Sequence, residues 1–285
     1  MRITLTAAGL TLAVLLSFPF VSLAQSSEAG LFLGVATYKG ELQNHLFSTK
    51  FIKPAVGILY RRNLNSHWGY RLGITYGAVT ADDAESDDDY QVRRNLSFRS
   101  RILDFHGVFE FNFFSYQLAS DRSAKWTPFL FGGLSIYHFN PQAELDGEWY
   151  DLQPLGTEGQ GTDAYPSREK YKRTQVALPF GGGFKFRFTR RFGMTVEAGA
   201  RRLYTDYLDD VSTTYADKDV LLSNYGETSV ILSDRSIDGQ AANNTDRQRG
   251  NASDNDWYMF AGISLNFTLS SKYSDNCTPF RQKLR

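Results

Sequence analysis

The stretch "WGYRLGITYGA", residues 68–78, alternates two kinds of residue: Trp68, Tyr70, Leu72, Ile74 and Tyr76 on one parity, Gly69, Arg71, Gly73, Thr75 and Gly77 on the other. A period of two marks a strand whose faces meet different surroundings. In a soluble sheet the apolar face would lie on a core and the other in water, yet glycines and an arginine make a poor solvent face. The same pattern recurs. In "ILDFHGVFEFNFF", residues 102–114, Leu103, Phe105, Phe109, Phe111 and Phe113 oppose Asp104, His106, Glu110 and Asn112. In residues 176–188, Val176, Leu178, Phe180, Phe184, Phe186 and Phe188 oppose Lys185 and Arg187; in residues 192–202, Met194, Val196, Ala198 and Ala200 oppose Thr195, Glu197 and Arg201. Apolar to lipid and polar to a lumen, in runs of roughly 10 residues, is the pattern of a transmembrane β-barrel strand.

The amino terminus agrees with a membrane destination. Arg2, the apolar run "ITLTAAGLTLAVLL" and "SLA" at Ser22 to Ala24 read as a cleaved signal peptide, residues 1–24. An uncleaved anchor helix would need about 20 apolar residues, and the run is shorter. The chain has 285 residues, 24 Gly, 16 Tyr, 22 Phe, 1 Cys and a formal net charge of +0. That balance argues against a broad basic surface for nucleic acid and against an acidic tail. A single cysteine in an exported chain makes no internal disulfide, so stability must come from packing or from a bilayer.

Eight strands are predicted, at residues 31–38, 53–62, 68–78, 101–114, 126–137, 175–188, 192–204 and 257–269. The fifth is the weakest, because its alternation is broken and Pro128 must sit near its start. An even count suits a closed, all-β, eight-stranded antiparallel transmembrane barrel spanning residues 25–269. The connections agree, being long at residues 39–52, 79–100, 138–174 and 205–256 and shorter at "NSH", around 115–125 and at "TRR". Long extracellular loops and short periplasmic turns place both termini in the periplasm and the barrel in a bacterial outer membrane, in contact with its lipid. A soluble β-sandwich would need no such asymmetry.

Eight strands enclose side chains rather than a pore. Arg71, Asp104, His106, Glu110, Lys185, Arg187, Glu197 and Arg201 are therefore expected to pair inside the lumen, since unpaired buried charge is costly. The histidines His45, His67, His106 and His138 show no metal-ligand spacing. "DDAESDDD", residues 82–89, lacks the glycine and terminal glutamate of a hand-type calcium loop, and "LGTEGQGTD", residues 155–163, has no GK[ST] ending and opens no helix. No cofactor and no resident metal are expected. Asp206, Asp209 and Asp210 in "YTDYLDDVSTTY" are candidate paired acids of a hydrolase, but periodicity brings no serine or histidine beside them; loop-ordering hydrogen bonds are the simpler role.

"NLSFRS" at Asn95 to Ser100, "LQPLGTEGQG" at Leu152 to Gly161, "YTDYLDDVSTTY" and "NDWYMFAG" at Asn255 to Gly262, with "LFLGVATYKGEL" and "WTPFLFGG" in matching places, resemble the PorG-like outer-membrane barrel family of the Bacteroidetes type IX secretion system. The resemblance covers nearly the whole mature chain. It implies a non-enzymatic barrel that associates with a periplasmic ring lipoprotein and its partner subunit, anchoring the ring to the outer membrane, and that is not itself the translocon. Alternatives from other classes are a lipid-modifying or lipase barrel, which needs a serine, a histidine and an acid at one rim, and a surface-adhesion barrel, which would bind through its loops.

After the last strand, residues 270–285 run polar and basic and carry Cys277 without an intramolecular partner. By the strand count this tail is periplasmic. Cys277 is a candidate for a disulfide to a ring subunit, with Arg281, Lys283 and Arg285 adding electrostatic attraction; a free thiol on a tail is the alternative. Comparing wild type with Cys277→Ser on non-reducing and reducing gels of native outer membranes decides between them. A slower band lost with reductant and in the variant is expected; one monomer band in every lane would remove the disulfide.

Overall fold

The computed structural model describes residues 26–45, 50–237 and 243–271. Among the described residues nine strands form: β1 Ser26–Lys39, β2 Lys53–Asn63, β3 Trp68–Asp82, β4 Ser97–Asn112, β5 Trp126–Leu145, β6 Glu148–Asp151, β7 Thr174–Arg187, β8 Phe192–Arg202 and β9 Trp257–Ser271. All except β6 build one antiparallel sheet in the order β4-β3-β2-β1-β9-β8-β7-β5, closed by pairing of β4 with β5. The result is an eight-stranded barrel with no free edge. Among the described residues no helix is long and apolar enough to cross a membrane; the strands do the crossing.

The parity of residues 68–78 resolves as an inverted sheet. Trp68, Leu72, Ile74 and Tyr76 are exposed, at 49%, 54%, 37% and 48%, while Arg71 and Thr75 are buried at 2% and 4%. The exposed apolar residues continue around the wall through Leu31, Ile58, Phe109, Leu130, Leu134 and Ile263. A surface of this kind is stable only in hydrocarbon, where the lipid takes the place of a core. At the end of the short turns, Trp68, Phe111, Phe113, Phe114, Trp126, Phe188, Phe192 and Phe267 pack ring on ring with centroids 4.9–5.5 Å apart. They form the aromatic girdle expected at a lipid–water interface.

The eight predicted strands are present, and several run longer than predicted. β3 and β4 extend to Asp82 and back to Ser97, and β5 continues to Leu145 before folding back on β6. About a third of the residues in the loops predicted at 79–100 and 138–174 are thus strand standing beyond the apolar band, where the outward face no longer has to be apolar. The turn into β6 is Asp146-Gly147, both at positive φ (54° and 86°), the two-residue hairpin signal in plain sequence. The loop predicted at residues 205–256 holds helices at Lys218–Tyr225 and Glu227–Ser233. The signal peptide and Cys277 lie outside the described residues.

An arginine at the lipid face should be costly. Leu72→Arg is expected to lower the unfolding free energy by roughly 2–4 kcal/mol, read from urea titration in lipid vesicles, whereas Thr80→Arg, nearer the loop end of the same strand, should cost much less.

Candidate functional site: the charged lumen and the loop crown

Arginine, lysine and carboxylate share the lumen at contact distance. Glu110 on β4 accepts from Arg61 Nε at 2.7 Å and Lys185 Nζ at 2.6 Å and forms an ion pair with Arg71 Nε at 3.1 Å. Arg61 also reaches Glu28 Oε2 at 3.0 Å, and Arg71 reaches Glu197 Oε2 at 2.5 Å. Three cations thus face three carboxylates, Glu28, Glu110 and Glu197, so the signs balance. Asn63 donates to Glu28 at 2.7 Å, and Lys185 to Asn112 at 2.9 Å, completing the polar layer. Phe131 and Phe129 stack beneath Arg71 and Lys185, with centroids at 4.9 and 4.5 Å.

A second layer lies toward the loop end. Asp104 accepts from Tyr258 at 2.6 Å, pairs with His106 Nδ1 at 2.8 Å and faces Arg201 Nε at 3.7 Å. His106 turns its other ring nitrogen against Gly73 of β3; any side chain at Gly73 would push the ring off Asp104. Ser135, its register partner on β5, is buried with its hydroxyl unbonded. Acid, histidine and serine are neighbours here, but the histidine points away from the serine, and all lie within the wall rather than at a rim.

The structure therefore brings Arg71, Asp104, His106, Glu110, Lys185, Glu197 and Arg201 together inside the barrel. Arg187 goes elsewhere: at the turn end it donates to Ser120 O and to Ser123 O at 3.0 Å, and faces Asp121 at 3.4 Å, pinning the longest of the turns. Glu28 and Arg61 belong to the lumen set without having been singled out. Glu28 lies before the predicted start of β1, and Arg61-Arg62 gives no sign by itself of which arginine points inward. Parity counted forward from Ile58, which faces out, places Arg61 inward. His67 and His138 bond to Asn112 O and Thr174 Oγ1, each at 2.9 Å.

Above the second layer the mouth is filled. Tyr38, Phe98, Tyr137, Phe139, Tyr258 and Phe260 pack with Leu42, Leu208 and Val211 from the long connections in one buried cluster. Around it runs a second lock. Arg249 is buried, reaching Glu158 Oε1 at 2.9 Å and Asp210 O at 2.6 Å. Glu158, in "LGTEGQGTD", accepts from the backbone of Ser212 at 2.9 Å and Thr213 at 3.0 Å. Asp210 takes the hydroxyls of Thr157 at 2.5 Å and Tyr171 at 2.6 Å; burial nevertheless pushes its carboxyl up to about 6. Arg94 forks onto Asp83 at 2.7 and 2.9 Å. The acidic run of residues 82–89 is thereby occupied with capping and pairing: Asp82 and Asp88 accept from Ala84 N and Tyr90 N.

Asp206 and Asp209 join a different group, with Glu41 and Asp256. Burial raises Glu41, Asp206 and Asp256 above the usual carboxylate range, with neighbouring carboxylates adding to it. Burial also raises Asp209, against hydrogen bonds from the Tyr38 hydroxyl and Val211 N. Among the described residues, Glu41, Asp209 and Asp256 are the set whose oxygens come close enough to share a cation.

A family model described as "Domain of unknown function (DUF6089)" matches residues 8–154. No curated protein matches. Among solved structures the chain is similar to Ail, the attachment invasion locus protein of Yersinia pestis, in complex with the heparin analogue sucrose octasulfate (10% identity, 86% of this chain and 100% of that one, TM-score 0.39). It is also similar to Neisserial surface protein A (10%, 86% and 99%, 0.41) and to OprG from Pseudomonas aeruginosa (9%, 86% and 96%, 0.40).

Removing the shared carboxylate leaves Arg61, Arg71 and Lys185 facing one another. Glu110→Ala should therefore cost roughly 3–5 kcal/mol, read as a lower urea midpoint and earlier loss of heat-modifiable mobility on gels; an unchanged midpoint would show that the cations find other partners.

Proposed function

The chain belongs to the DUF6089 family, a family described without an activity, and from its geometry we propose that it is a non-conducting outer-membrane barrel that works by binding and anchoring other proteins. The observation that carries this reading is the filled lumen. An ion layer centred on Glu110, buried at 0% exposure, and an aromatic layer at the mouth leave the interior to side chains. What remains for function is the outside of the molecule: its crown, its turns and its termini.

Within that reading, the anchored partner is the type IX secretion machinery. The stretches on which the resemblance rests meet in space. Glu158 of "LQPLGTEGQG" holds the backbone of "YTDYLDDVSTTY", Asp256 of "NDWYMFAG" accepts from Leu208 N at 2.8 Å, and Phe98 of "NLSFRS" packs against Tyr38 of "LFLGVATYKGEL" with ring centroids 5.0 Å apart. That the resembling residues build one interlocked crown supports a shared architecture rather than scattered coincidence. On this reading the crown faces outward, the termini and short turns face the periplasm, and the ring lipoprotein and its partner subunit are held from that side. On this reading the barrel binds rather than catalyses.

Two measurements test this. Purified barrel in planar bilayers is expected to give no stable conductance steps; ion-selective steps would overturn the non-conducting reading. Affinity capture of the tagged chain from native membranes is expected to bring down the ring lipoprotein and its partner, and deletion of the gene to block export of proteins with the carboxy-terminal sorting domain. Intact export with no captured ring would remove the secretion role and leave the barrel fold untouched.

A further inference from the structure

Four carboxylates converge where the first and the last long connections meet the mouth of the barrel: Glu41 just beyond β1, Asp206 and Asp209 beyond β8, and Asp256 at the start of β9. Asp206, Asp209 and Asp256 are 5%, 1% and 0% exposed. Asp256 Oδ2 accepts from Leu208 N, but its Oδ1 is buried with no partner; so are Glu41 Oε2 and both carboxylate oxygens of Asp206. Asp209 is better served, by the Tyr38 hydroxyl and by Val211 N at 2.9 Å. The guanidiniums of this region are committed elsewhere. Arg94 serves Asp83 and the carbonyls of Glu41 and Arg249, and Arg249 serves Glu158 and the carbonyls of Asp210 and Ser233. Buried carboxyl oxygens left without partners are expensive.

One oxygen from each of Glu41, Asp209 and Asp256 lies within 4.8 Å of the others. Two oxygens on opposite sides of a calcium ion, each about 2.3–2.6 Å from it, stand about that far apart. The donors are all hard oxygens, with no imidazole or thiolate among them, which selects calcium or magnesium over zinc or copper. Magnesium demands a near-ideal octahedron at about 2.0–2.1 Å, whereas calcium tolerates the irregular spacing of ligands drawn from separate chain segments. Gly40 guards the space: a Cβ there would run into Asp256 Oδ1 and the Tyr38 hydroxyl.

We propose that Glu41, Asp209 and Asp256, with Asp206 beside them, form a calcium-binding site that ties the first long connection to the last and locks the crown over the mouth. The ion takes the place of the missing donors at Asp256 Oδ1 and Glu41 Oε2. Its removal frees the crown without opening the ion layer below, because Glu110 and its cations belong to other strands. The site does not depend on the secretion reading.

The test uses the full chain folded in detergent, stripped with EGTA and titrated with calcium chloride in a calorimeter, with heat-modifiable mobility as the check that each variant has folded. Wild type is expected to bind about one calcium per chain and to gain protection of its long connections from added protease. Asp256→Asn and Glu41→Gln should each weaken binding at least tenfold, while Asp87→Asn, on the exposed acidic run, should leave it unchanged. If Asp256→Asn fails to fold, Glu41→Gln decides, since Glu41 lies nearer the surface. No saturable calcium binding by folded wild type, equal affinity in Glu41→Gln, or tight binding of magnesium in place of calcium would each overturn the proposal.

Discussion

A peptide group in hydrocarbon has no water to bond, and everything else in this molecule follows from that constraint. The strands must close on themselves, so β4 pairs with β5 and no edge remains. Closure with eight strands makes the interior narrow, and the wall must be apolar outward, so polar residues are confined to a space too small for bulk water. Charges placed there have only one another. Glu110 with Arg61, Arg71 and Lys185 is the direct result: a fold chosen by the bilayer forces an ion cluster at its centre.

The interior is layered, and each layer answers a different demand. Near the turns, balanced ion pairs satisfy buried charge; toward the mouth, stacked tyrosines and phenylalanines fill volume, with Tyr258 joining the two through its bond to Asp104. Beyond the apolar band the long connections fold on themselves through Arg249, Glu158 and Asp210. Each of these buried cations sits among several oxygens from distant segments, so loops that read as polar and Gly-rich acquire one arrangement. The four acids Glu41, Asp206, Asp209 and Asp256 stand apart from this pattern, having gathered carboxyl groups without an arginine hydrogen-bonded among them.

The barrel was legible in the sequence because its determinant is local. Alternation along one strand tells lipid from lumen, as residues 68–78 show, and strand starts at Lys53, Trp68, Trp126, Phe192 and Trp257 could be read from it. The lumen set was legible to the extent that parity was unambiguous: Arg71 and Glu110 interrupt apolar runs, but Arg61 hides beside Arg62 and Glu28 precedes the clear alternation. The crown was not legible. Glu41 and Asp256 lie at opposite ends of the mature chain and meet only because β1 pairs with β9. Glu158 sits in a stretch whose glycines drew attention to phosphate binding, whereas its neighbours Gly156, Gly159 and Gly161, at positive φ, shape a turn. Contacts made by closure leave no periodic trace.

β5 runs for 20 residues, about twice what a bilayer crossing requires, and with β4 and the β6 hairpin it stands as a parapet on one side of the mouth. Two strands further round the ring, β8 has 11 residues and stops at Arg202. The wall is thus uneven in height around the barrel. A neighbour diffusing in the same leaflet meets a stiff hydrogen-bonded screen, tipped with Trp149 and Tyr150, where it approaches from the side of β5. Lateral encounters are sorted by azimuth, so the barrel acts as a compass among its neighbours as well as a post.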